Sequence, residues 1–96
     1  MFKPLDPLLH SELRLAIMSI LLSVEEADFV YLKEQTKSTS GNLSVQIEKL
    51  KEAGYIEVKR GFAGKRTRTV CKITARGISA FEQYVESLKG YLNLNE

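Results

Sequence analysis

The 96-residue chain is the size of one domain, and with 44% hydrophobic and 27% charged residues it can bury a core without staples. Cys71 is the only cysteine, which excludes an intramolecular disulfide, and the longest apolar run, Ile17 to Leu22, is too short to span a bilayer. The net charge of +2 is unevenly spread: between Glu57 and Glu82 stand seven basic residues (Lys59, Arg60, Lys65, Arg66, Arg68, Lys72, Arg76) and no acidic one, so the rest of the chain carries −5, the +2 total less seven.

Asp6-Pro7 pairs a capping residue with proline at a first helical position, which predicts a short turn or extended lead-in. Residues 1–6 have no signal-peptide layout, so the expected location is the cytoplasm. From about Ser11 to Val24, Leu13, Ala16, Ile17, Ile20, Leu21 and Val24 recur at helical spacing. Leu15, Met18 and Leu22 widen that stripe, so this helix is either central to the domain or shared with a partner. Glu25 to Asp28 reads as a polar connection, and Asp28 as the cap of a short helix from Phe29 to about Thr36.

After a turn at Lys37-Ser38, Thr39 caps a third helix, Ser40 to Ala53, whose core face is Leu43, Ile47 and Leu50. Gly54 follows as a left-handed terminator. Tyr55 to Arg60 alternates as a half-buried strand, Gly61 to Lys65 reads as a loop, and Thr67 to Ile73 as a second strand with Cys71 facing the core. Thr74 caps a last helix of about 15 residues, with Ile78, Phe81, either Tyr84 or Val85, and Leu88 along its stripe and Tyr91 and Leu92 as its extension. The order predicts an α+β, mostly α fold: a three-helix core, a two-stranded β-hairpin and a C-terminal helix. Helices two and three are close enough for a helix-turn-helix.

The leading half of the third helix is slim and polar, with Thr39, Ser40, Gly41, Asn42 and Ser44, as a groove-inserted helix requires. Glu48 and Glu52 on its outer face weigh against insertion along its whole length. Lys65, Arg66 and Arg68 stand where a wing would meet phosphates or a narrow minor groove. A basic hairpin can simply guard a sheet edge, but one directly after a helix-turn-helix is much more specific.

The stretch from Leu43 to Val58, "LSVQIEKLKEAGYIEV", and the later "GFAGKRTRTVCKITARG" resemble the winged helix domains of the MarR/ArsR superfamily of transcriptional regulators. The first helix, "LDPLLHSELRLAIM", resembles that of the short single-domain group, and the likeness covers about residues 5 to 90. It implies one winged-helix domain over 1–96, with about 11–73 as DNA-binding core and wing and 74–92 as a dimerisation helix. It implies a homodimeric repressor on a near-palindromic double-stranded site, with helix 40–53 in the major groove and wing 61–68 on backbone or minor groove. The DNA contacts so implied are Thr39, Ser40, Asn42, Ser44, Val45, Gln46, Lys49, Lys65, Arg66 and Arg68. Related helices often carry Arg-His where this chain has Val45-Gln46, so its base preference should differ or weaken.

The expected dimer face joins Leu9, Leu15, Met18 and Leu22 of the first helix to Phe81, Tyr84, Val85, Leu88, Tyr91 and Leu92 of the last, with Phe2 and Leu5 alongside. Room for a small-molecule effector is expected between those helices, with no polar group that identifies the ligand. His10 is the only histidine and forms no metal-ligand spacing with Cys71, so no metal, cofactor or catalytic residue is expected and the chain does not read as an enzyme. The competing reading is a winged helix used as a protein-interaction module without direct DNA reading.

Overall fold

The computed structural model describes residues 2–92, leaving the ends of the expected 1–96 domain outside the described residues. Four helices, α1 (Glu12–Val24), α2 (Phe29–Thr36), α3 (Ser40–Glu52) and α4 (Ala75–Leu92), combine with three strands, β1 (Glu26–Asp28), β2 (Ile56–Ala63) and β3 (Arg66–Ile73). The caps sit where the sequence places them. Asp28 Oδ1 accepts the Tyr31 N–H at 2.8 Å, Thr39 Oγ1 accepts that of Asn42 at 3.1 Å, and Thr74 Oγ1 that of Gly77 at 3.0 Å. Gly54 ends the α3 segment at φ 82°.

The sheet has three strands in the order β1-β3-β2, all antiparallel. This corrects the reading of residues 25–28 as a connection: Ala27 is buried opposite Cys71, and the segment is drawn straight by the free edge of β3. The wing is also longer than expected. Gly61 and Phe62 continue β2, paired with Arg68 and Thr67, and the turn is only Gly64-Lys65. Gly64 takes φ 68° at the first turn position, as a type II′ hairpin turn demands.

The core gathers Ile17, Met18 and Leu21 of α1, Leu32 of α2, Leu43, Ile47 and Leu50 of α3, Ile56 and Cys71 of the sheet, and Tyr84 of α4. α1 is the central helix, touching the other helices and the sheet. Leu9, Met18 and Tyr84, expected at a dimer face, are instead buried in this core: α1 is covered on several sides, so Met18 packs within the monomer. Leu15, Phe81 and Leu88 are half-buried, whereas Leu22, Val85, Tyr91 and Leu92 remain exposed. Phe2 packs within the chain, its ring 4.7 Å from that of Tyr91.

Burial pushes the Cys71 thiol up from 9.0 to about 11, with Arg60 pulling weakly the other way. Tyr55 is also raised, first by its hydrogen bond to Asp6 and then by burial. The unfolded chain therefore gives up these protons first. The Cys71 part of that stability is fully present below pH 9.0 and is lost as pH climbs toward 11, while the Tyr55 part is lost only above pH 10.0. The urea midpoint should hold steady up to about pH 8.5 and fall by about pH 10.5, and Cys71→Ala should make the fall shallower. An equally steep fall in that variant would show that Cys71 is not responsible.

Candidate nucleic-acid interface

The first turns of α3 present Ser40, Gly41, Asn42, Ser44 and Val45 to solvent, with Thr39 exposed at the cap and Lys49 exposed further along. The core residues Leu43, Ile47 and Leu50 set this rotation: at about 100° per residue, Val45 points opposite the core, Ser44 and Glu48 to one flank, and Asn42, Gln46 and Lys49 to the other. The Ser44 flank faces the hairpin. Phe29, Ser44, Ile47, Arg60 and Thr69 line one cleft of about 220 Å³, so the slim end of α3 and the base of the wing share a wall.

Register divides the wing's charges between its faces. Arg60 pairs with Thr69 on the core-side face, whereas Arg68 opposite Gly61 and Arg66 opposite Ala63 lie on the outer face. Two solvent-accessible ion pairs link the hairpin to its neighbours: Arg60 Nη2 lies 3.8 Å from Glu48 Oε1 of α3, and Arg68 Nε lies 3.5 Å from Asp28 Oδ2 of β1. Glu48 therefore does not simply point away from the domain, since it answers the wing and Lys51 at 3.7 Å. Arg68, expected as a free DNA contact, is tied to the residue that caps α2. Lys65 and Arg66 at the tip are exposed.

Gln46 is placed differently from the other expected contacts. It is half-buried, receives a hydrogen bond from Arg14 Nη1 of α1, and donates to Asn42 Oδ1 at 2.9 Å. Sequence reasoning also passed over a second basic edge. Lys33 and Lys37 of the α2 segment line a groove with Glu34, Phe29, Val30, Ser38 and Ser40, and the only available signal was two lysines four apart beside the turn. Phe62, 77% exposed near the wing tip, carried no pattern that singled it out.

A second cleft, of about 260 Å³, lies between the leading segment and α4, lined by Pro4 to Pro7, Tyr55, Ala80, Gln83, Tyr84 and Ser87. It carries hydroxyl and amide groups and the Asp6 carboxylate, which already accepts the Tyr55 hydroxyl at 2.5 Å. Among the described residues no cluster of His, Cys, Asp or Glu could hold a metal ion, and no helix is long and apolar enough to cross a membrane.

A helix-turn-helix followed by a basic hairpin defines a winged-helix nucleic-acid-binding module, and residues 13–92 match the family model described as a winged helix DNA-binding domain. The chain belongs to that family. It is 38% identical over 76 residues to an uncharacterized protein of Methanocaldococcus jannaschii, covering 79% of this chain and 83% of that one. The structure of a transcriptional regulator homologue from Pyrococcus horikoshii OT3 superposes with a TM-score of 0.83 at 31% identity, over 90% of this chain and 85% of that one. A MarR-family transcriptional regulator from Silicibacter pomeroyi shares the fold, with a TM-score of 0.67 at 17% identity over 86% of this chain and 55% of the other.

Proposed function

We propose that the chain is a sequence-specific, double-stranded DNA-binding repressor that works as a homodimer in the cytoplasm on a near-palindromic site. Helix α3 enters the major groove by its first turns, and the wing, residues 61–68, lies on the backbone or in the minor groove. The observation that carries this reading is the cleft joining Ser44 of α3 to Arg60 and Thr69 of the hairpin, which makes neighbours of the slim polar helix end and the wing. Thr39, Ser40, Asn42, Ser44, Val45 and Lys49 are the helix contacts, and Lys65 and Arg66 the wing contacts. Gln46 and Arg68 act chiefly by holding neighbours in place.

Residues 11–73 serve as the DNA-binding part and 74–92 as the dimerisation helix. The exposed Leu22, Val85, Tyr91 and Leu92, with the half-buried Leu15, Phe81 and Leu88, supply the apolar surface for a second copy.

Selection of bound duplexes from a random pool tests the proposal. Enrichment of a motif with two inverted half-sites is the expected result. A pool that stays random through repeated rounds would favour the protein-interaction reading instead.

A further inference from the structure

We infer that Arg14 is a positioning residue for α3: through Gln46 it fixes Asn42 as a hydrogen-bond donor, and so biases the protein toward base edges rich in acceptors. The inference rests on the duplex-binding reading and deepens it.

A guanidinium carries donors only. Arg14 Nε donates to the Leu8 carbonyl at 2.5 Å, and Nη1 donates to Gln46 Oε1. Gln46 must therefore turn its oxygen to α1 and its NH2 away. That NH2 lies 2.9 Å from Asn42, one turn earlier on α3, where only the amide oxygen can accept it. Among the described residues both protons of the Asn42 NH2 are left unspent, on an exposed residue in the first turn of the helix. The polarity follows from the guanidinium alone. Arg14 is half-buried and forms no ion pair among the described residues, so its charge strengthens this bond without competition.

A free asparagine offers oxygen and NH2 together and matches adenine, which presents the N6 donor beside the N7 acceptor. With one lone pair of its oxygen taken by Gln46 and the amide held by that bond, Asn42 leads with its NH2 and suits the paired acceptors N7 and O6 of guanine better.

The test uses a selected duplex in which each base pair is replaced in turn, with binding followed by fluorescence anisotropy. The position at which Asn42→Ala loses discrimination is the one Asn42 contacts. There the wild type should prefer guanine over adenine about tenfold. Arg14→Met and Gln46→Met should each bring that ratio down to one or below, while affinity for an unrelated duplex stays within about twofold. Gln46→Met leaves the Arg14 bond to Leu8 in place, so the test survives if Arg14→Met fails to fold. A wild-type preference for adenine, a ratio unmoved in the variants, or no position that responds to Asn42→Ala would overturn the inference. If the wild type binds no duplex at all, the duplex-binding reading falls and this inference with it.

Discussion

Replacing Gly77 by alanine should lower the Tm by about 10 °C or more, although alanine is the better helix former. Gly77 sits in the first turn of α4, buried against the end of the α3 segment. A methyl carbon there would overlap the Tyr55 carbonyl oxygen and stand 3.0 Å from both the Tyr55 carbonyl carbon and Ile73 Cγ1. The obstacle is backbone and cannot swing aside. That oxygen also accepts the Thr74 N–H at 3.0 Å, while the Thr74 hydroxyl donates to the Gly54 carbonyl at 2.7 Å. Alanine's helical advantage of about 1 kcal/mol opposes an overpacking cost at the upper end of about 1–3 kcal/mol, so the clash prevails. An unchanged or raised Tm by circular dichroism would show that α4 does not approach Tyr55 this closely.

Charge reversal at the wing tip, Lys65→Glu with Arg66→Glu, should weaken binding to every duplex alike by on the order of a hundredfold. These two cations are exposed and absent from the ion pairs among the described residues, so they are available to phosphates. The dependence of log K on log salt should lose about two units of slope, since each neutralised phosphate contributes about 0.9. Arg68→Glu behaves differently. It sets a carboxylate against Asp28 at the cap of α2, so it should cost stability as well as affinity. Equal affinity and slope in the tip double variant would remove the wing from the binding surface.

The helices were legible because their punctuation is local. Asp28, Thr39 and Thr74 each lie within three residues of the N–H they cap, and Gly54 marks its own conformation. Strand β1 was not, since Glu26-Ala27-Asp28 holds one small apolar residue and takes its form from β3, more than forty positions on. The far half of the wing looked like a loop because Gly61 and Gly64 read alike, although only Gly64 turns the chain. For the site, residue types were legible and partners were not. The links Arg14–Gln46, Glu48–Arg60 and Asp28–Arg68 join separate elements, and they decide which polar groups stay free. The surplus apolar stripe misled for the same reason: spacing finds greasy faces but cannot divide them between core and partner, as Met18 and Tyr84 show.

The claim that the leading end of α3 and the wing form one duplex-binding surface is tested most directly by amide chemical shifts during titration with a selected duplex. The shifts should move together at residues 39–49 and 60–68, while the outer face of α4 stays still. Shifts confined to α4 and the leading segment, or to only one of the two surfaces, would contradict it.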